Sequence, residues 1–402
     1  MRIYAQQGYG KGDKLEKGIG NNSLDGIVLS PRDDREENLI SLISEIREES
    51  PDIDLIADPQ FYYSTYAEGV SKNLDQLDYY PGNINLSHLR SFRNIQEYIQ
   101  KCFDHQNTLN VHSLVSPTIL IPNFSDRYAQ IALTMAEESV NIANEMQKPV
   151  LISLIFQENA LNEATNVNEF LNELSMLEAE GFYITVARNS TIYDQKFDEA
   201  SSLANLLTMI YSLSEINEFK VVMGYSDIIG LLYLTVGAHA ISTGWHNSSK
   251  KFTIQQRILP STGGRLPRER YTSTPLLNSI LASELDSIAR QLTNRGMTLD
   301  LVLSDAAYDN VILSGANPTD GWTRAFSHLQ HWSALKKVAT ELQGENGDIC
   351  ERLDLMQDKI NKALTTYRML EGMAIQFDSA SSGKHLEIWN DALTQFREMH
   401  QI

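Results

Sequence analysis

The chain has 402 residues, with 33 Lys and Arg against 52 Asp and Glu, a net charge of −19, and 42% hydrophobic residues. That length supports a large core and roughly two or three structural units, and the charge disfavours phosphate backbones over most of the surface, so any nucleic-acid contact must be local. Cys102 and Cys350 are too few for a four-cysteine zinc site or a disulfide framework. The opening MRIYAQQGYG has no apolar signal core, and the longest apolar stretch, Ile228 to Ile241, falls short of the roughly 20 residues of a membrane span. A cytoplasmic protein without metal, cofactor or membrane contact is expected.

Eight short apolar, β-branched runs follow one another: Arg2–Ala5, Gly26–Leu29, Asp54–Ala57, Thr118–Ile121, Val150–Phe156, Phe182–Ala187, Phe219–Met223 and Ala238–Ser242. Each ends in a polar cluster. Apolar residues three or four apart predict helices between them, at 36–49, 126–146, 167–181 and 198–216. Continuous apolar strands alternating with amphipathic helices imply a parallel sheet covered on both faces. Eight units favour closure into a (β/α)₈ TIM barrel over an open doubly wound sheet. A long excursion, 61–117, separates the third and fourth runs and holds one helix near 89–103.

After the eighth run the composition turns basic. Lys250, Lys251, Arg257, Arg265, Arg268 and Arg270 face the single acid Glu269 around a Ser-Thr-Gly-Gly turn, which predicts an insertion at 250–270 that either contacts nucleic-acid phosphate or tethers itself to the acidic body of the chain. Helical spacing then dominates. The first set, Leu277, Ile280, Leu281, Leu285 and Ile288, is expected to close the barrel as its eighth helix. Two later stripes, Trp322/Phe326/Leu329/Trp332 and Leu386/Trp389/Leu393/Phe396, offer surfaces for self-association or a protein partner. The expected division is 1–275 for the barrel with its basic insertion, and 276–402 for the closing helix and a helical appendage.

Barrel enzymes place reacting groups at the C-terminal ends of their strands. The candidates there are Asp58 and Glu158 as a catalytic pair, with Arg32, Gln60, Tyr62, Arg188, Asn189, Tyr225, Asp227 and Trp245 as substrate contacts. Paired carboxylates serve glycosyl transfer, one stabilising an oxocarbenium-like centre and one handling a proton, and aromatic rings stack on a base or sugar. Asp126 and Asp227 are equally placed to cap helices, and Arg32 to pair with Asp33. His328 and His331 lie three apart on a helix without an acidic third ligand, which favours a packed face over a metal site.

The stretch VVMGYSDIIGLLYLTVGAHAIS, 221–242, resembles the last two strands of queuine-type tRNA-guanine transglycosylases, and DLIADPQFYYS is similar to that family's Asp-Ser-Gly-Gly-Phe-Gln segment. The resemblance implies a barrel with an insertion after strand eight and places Asp58 at the family's conserved acid. The departures are specific. Ser242 stands where the family has its nucleophilic aspartate, the three-cysteine, one-histidine zinc site is missing, and ARNST around Arg188 and Asn189 replaces the base-reading glycine segment. The sequence therefore points to a divergent barrel enzyme acting on a glycosidic, and by resemblance N-glycosidic, bond of a nucleoside or nucleic-acid substrate. Two alternatives stand beside it: a non-catalytic interaction barrel in a multiprotein or nucleic-acid-associated complex, and a hydrolase or lyase of unrelated chemistry.

Overall fold

In a computed structural model, residues 1–66, 71–255, 268–344 and 347–402 are described. Nine parallel strands, β1 (Arg2–Gln6), β2 (Gly26–Leu29), β3 (Asp54–Ala57), β4 (Leu114–Val115), β5 (Leu120–Ile121), β6 (Val150–Gln157), β7 (Gly181–Ala187), β8 (Lys220–Met223) and β9 (Ala240–Thr243), form one sheet. Its order is β3-β2-β1-β9-β8-β7-β6-β4, with β5 also on β6. β4 and β5 share the fourth position of an eight-position, nearly closed barrel.

The expected fourth run, Thr118–Ile121, is only half of that position. Pro117 has no N–H to give to a ladder, so the strand breaks there. Ser116 spans the break, its Oγ accepting from Ser153 N at 2.9 Å. β3 and β4 share no ladder and meet through His112 N donating to Leu55 O at 3.4 Å.

Strand alternation sorts the side chains into two sets. Tyr4, Val28, Ile56, Val115, Leu151, Tyr183, Val222 and Ala240, one from each position, pack together along the barrel axis. Their neighbours Ile3, Ile27, Leu55, Ile152, Phe182, Val221 and Ile241 face outward into the larger core under the helices. The axis is thus a filled core with polar ends: Tyr4 OH donates to Asp54 at the strand N-termini, and Tyr183 OH to Gln6 Oε1 at 3.2 Å toward the opposite end. Asp126 caps the helix Arg127–Glu145, accepting from Tyr128 N and Ala129 N, which accounts for that carboxylate without a functional role.

The eighth helix is Arg324–Gln343, not the 277–288 segment. It packs on β1, on the helix Lys14–Gly20 and on the helix Gly230–Thr235. Trp332 Nε1 donates to Thr243 O at 2.9 Å, and Lys336 pairs with Asp25 at 2.6 Å. Leu277, Ile280 and Leu281 lie instead in an antiparallel hairpin, Arg270–Ser273 with Asn278–Leu281, ahead of the helix Ala282–Thr293. A boundary at 275/276 would cut that hairpin's turn. Helix-like apolar spacing misled here because a tight turn and a short strand reproduce it over a few residues.

Both C-terminal stripes are consumed within the chain. Trp322, Leu329 and Trp332 are buried and Phe326 is half-buried against the Trp322 and Tyr308 rings, and Leu386, Trp389, Leu393 and Phe396 are buried on the last helix, His385–His400. That helix covers Ala200–Tyr211, with the Tyr211 and Phe396 rings 5.5 Å apart. The surfaces expected for self-association or a partner are therefore internal contacts. Among the described residues, no helix is long and apolar enough to cross a membrane.

Candidate functional site

The C-terminal mouth of the barrel is filled by the chain's own side chains. Asp58, fully buried at the end of β3, accepts from Gln60 N at 3.0 Å and from the Tyr62 hydroxyl at 3.0 Å, with the Tyr183 hydroxyl at 3.5 Å. Burial, reinforced by the Asp58 charge, pushes both tyrosine hydroxyls well above their ordinary range, so they remain donors. Gln60 accepts from Ser30 Oγ and Arg32 N and donates to Tyr225 OH at 3.2 Å. Phe252 closes the top, edge-on to Tyr62 at 5.6 Å and to Tyr225 at 5.2 Å.

Gln60 and Tyr225 hold φ of 54° and 49°, in the left-handed region that disfavours side chains. Backbone strain of this kind persists where the surroundings impose it. Here the strained pair meets across the mouth through its own hydrogen bond.

Glu158, at the end of β6, belongs to a second network. Its Oε2 accepts from Arg188 Nε at 2.8 Å and Asn189 N at 3.2 Å, and its Oε1 from Asp198 N at 2.9 Å. Asn189 donates through Nδ2 to Asn159 and Asp198, and Arg188 also donates to Lys196 O and lies 3.7 Å over the Phe197 ring. Glu158 and Arg188 thus come together as expected, but Asp58 does not join them. Among the described residues Asp58 and Glu158 share no hydrogen-bond partner, each carboxylate being held by its own set of donors. Ser242, where the transglycosylases carry their nucleophile, donates to Gln6 Oε1 at 2.6 Å and is buried.

A cavity of about 20 Å³, room for a water, lies between the ends of β7 and β8. Arg188, Tyr225, Ser226, Lys250 and Lys251 line it, with Asp194 beside them. Lys250 and Lys251, the first two residues of the basic island and candidates for a nucleic-acid contact, are buried. Lys251 Nζ donates to Ile192 O at 2.9 Å, Asp194 O at 3.3 Å and Asp194 Oδ1 at 3.0 Å. Lys250 Nζ makes no hydrogen bond among the described residues; Asp227 attracts its charge and Arg270 repels it. Burial lowers the proton affinity of both amines.

Asp227 anchors this side. Its carboxylate accepts from Tyr193 OH, from Gln195 Nε2 at 3.1 Å and from Ile228 N at 2.8 Å, and lies 3.5 Å from His331 Nε2. Burial would raise its pKa, but Lys250, His331 and Tyr193 outweigh that and hold the carboxyl below its ordinary range. Close by, Gln6 Nε2 and Thr185 Oγ1 are buried without hydrogen-bond partners, and a Cβ on the cavity-lining Gly224 would stand 2.6 Å from that Thr185 oxygen. Buried polar groups are nearly always satisfied by protein or by an ordered water, so these two favour polar occupancy of the axis.

The remaining candidates make contacts of their own within the chain. Trp245 Nε1 donates to Tyr9 O at 2.9 Å, fixing the loop after β1. Arg32 lies against Asp33 and 4.5 Å over the Tyr63 ring. Arg268 and Arg270 pair with Asp378, so the described part of the basic island is tied to the acidic body; Arg257 and Arg265 lie outside the described residues. Sequence reasoning missed Phe252, Tyr193, Gln195 and the Asp227–His331 contact. One signal for Lys250 was present: it follows the last strand within a few residues, where barrels place reacting groups.

Asp58→Asn tests the first network. An amide presents one accepting oxygen in place of two and leaves Tyr62 or Gln60 without an acceptor, so a loss of about 1–3 kcal/mol is expected on urea unfolding. An unchanged midpoint would show that Asp58 does not hold these donors.

Solved structures similar to this chain include a type I 3-dehydroquinate dehydratase from Clostridium difficile, at 14% identity over 63% of this chain and 88% of that one, with a TM-score of 0.36. Others are an aldolase from Escherichia coli K12, at 10% over 86% and 92% with a TM-score of 0.33, and a dihydrodipicolinate synthase from Bacillus clausii, at 10% over 100% and 98% with a TM-score of 0.34. No family model matches the sequence, and no curated protein matches it. The transglycosylase resemblance thus rests on its two patches alone. Likenesses of this size carry no argument about chemistry, and the barrel assignment stands on the strand order itself.

Proposed function

We propose that the chain is a barrel enzyme that takes a small anionic substrate, a carboxylate or a phosphate, in the cavity between the ends of β7 and β8. One observation carries this reading: three cations, Arg188, Lys250 and Lys251, line the same buried cavity with a single carboxylate, Asp194, which pairs with Lys251, while Glu158 and Asp227, which offset the other two charges, do not line it. Arg188 commits Nε to Glu158 and Nη2 to Lys196 O, which fixes the guanidinium plane and leaves Nη1 without a hydrogen bond among the described residues. Preorganised donors in a water-poor site are the arrangement that stabilises developing negative charge. A substrate larger than a water enters by displacing the Tyr225 or Phe252 ring.

The narrower glycosidic reading needs two carboxylates about one bond, and Asp58 and Glu158 lie in separate networks, so it is not part of the proposal. A second reading, a non-catalytic interaction barrel, is favoured by the packing of Phe252, Tyr62 and Tyr225 across the mouth.

Thermal unfolding at constant ionic strength, with inorganic phosphate and small mono- and dicarboxylates set against uncharged analogues, separates the two. A ligand at a hundred times its Kd should stabilise by about 2.7 kcal/mol. Arg188→Lys, which keeps the charge beside Glu158 but loses the planar fork, should weaken that binding about tenfold or more. No saturable stabilisation by any anion, or an effect indifferent to Arg188→Lys, would leave the interaction barrel standing.

A further inference from the structure

Lys250 and Lys251 are adjacent in sequence and buried in the same wall, yet their environments are opposite. Lys251 has three oxygen acceptors within 3.3 Å, a cage that suits an ammonium and gives it a fixed, positioning role. Lys250 faces the cavity with no hydrogen-bond acceptor among the described residues and is only 9% exposed. Burying an ammonium without hydrogen bonds is costly, so such a group is either offset at a distance or spends part of its time as the neutral amine. Here the offset is partial. Asp227 attracts it, but that carboxylate is already engaged by Tyr193, Gln195, Ile228 N and His331, while Arg270 repels. A desolvated lysine beside other cations is the setting in which an amine becomes a nucleophile near neutral pH.

We propose that Lys250 Nζ forms a Schiff base with the carbonyl carbon of a small anionic aldehyde or ketone, Arg188 receiving the substrate's carboxylate or phosphate through Nη1 while Lys251 holds the wall in place. This rests on reading the cavity as the substrate site. The neutral amine's lone pair forms the C–N bond as the carbonyl π pair moves to oxygen, which takes up a proton released from nitrogen. The resulting carbinolamine loses its hydroxyl, with a second nitrogen proton, as water. The nitrogen pair closes the C=N bond, so amine and carbonyl give imine and water with no oxidant or reductant. Burial beside Arg270 lowers the proton affinity that would otherwise keep the nucleophile capped.

The test uses the full chain with pyruvate as probe and sodium cyanoborohydride as the reductant that traps the imine as a secondary amine, followed by peptide mass mapping. The expected result is one dominant adduct on Lys250, formed at a rate whose pH midpoint lies well below the ordinary lysine range, slowed by inorganic phosphate, and absent in Lys250→Arg. No adduct, an adduct on Lys251, or adducts spread evenly over exposed lysines would overturn the assignment. Because the mapping is done on the unaltered protein, it does not depend on a variant folding. The two claims also fail separately. Phosphate binding with no reaction at Lys250 removes the nucleophile and leaves the anion site, whereas reaction at Lys250 without any anion stabilisation removes the anion site alone.

Discussion

Trp389→Ala is expected to cost about 3–5 kcal/mol in urea unfolding, by an amount that does not change with protein concentration. Trp389 is fully buried on the last helix, edge-on to His385 at 4.7 Å, and its Nε1 donates to Gln195 O at 3.3 Å. Truncation opens an indole-sized void and frees a buried carbonyl, two of the mechanisms behind large mutational losses. The effect should reach the cavity as well. Gln195 also donates to Asp227, so losing the indole loosens the segment that flanks Lys250 and Lys251. A destabilisation that grows on dilution would place Trp389 in an interface between chains.

Acid should unfold the protein from an early point. Burial depresses seven histidines below the ordinary 6.5, four of them strongly: His328 and His331 to about 3, each lowered further by the Lys250 charge, and His239 and His385 to about 4. The unfolded chain binds protons at these sites between pH 6.5 and 4 while the folded chain does not, so stability is full above about 6.5 and falls as pH drops through that window. Each site can contribute up to about 1.4 kcal/mol per pH unit there. Asp309, whose carboxyl burial raises, acts in the opposite sense at the acid end. Urea midpoints between pH 7.5 and 5 should decline by several tenths of a molar or more, and a flat profile would show that these imidazoles are not held neutral by the fold.

The barrel was legible because its strands are short, apolar and bounded by polar clusters; Gly26–Leu29 and Asp54–Ala57 begin and end where the pattern says. What misread was local. Pro117 split one strand, and the hairpin at 270–281 imitated a helix, which put the eighth helix at 277 where it begins at Arg324. The site was legible only as a collection of strand-end residues. Glu158 and Arg188 meet because consecutive parallel strands put their ends side by side, a relation that strand order predicts. Lys250 read as one member of a basic cluster, while the groups that act on its charge in the fold, Asp227, Arg270 and His331, come from segments that the spacing along the chain does not bring together. Charge patterning reports composition along the chain, and burial is decided by tertiary contacts.

The central claim is that the cavity at Arg188, Lys250 and Lys251 receives an anion. Its most direct test is a crystal structure of the protein grown with inorganic phosphate at a concentration that saturates the thermal shift. The account predicts phosphate density in that cavity within hydrogen-bond distance of Arg188 and beside Lys250, with the Tyr225 or Phe252 ring turned aside. A structure in which those rings still seal the mouth, with phosphate bound elsewhere or nowhere, would contradict it.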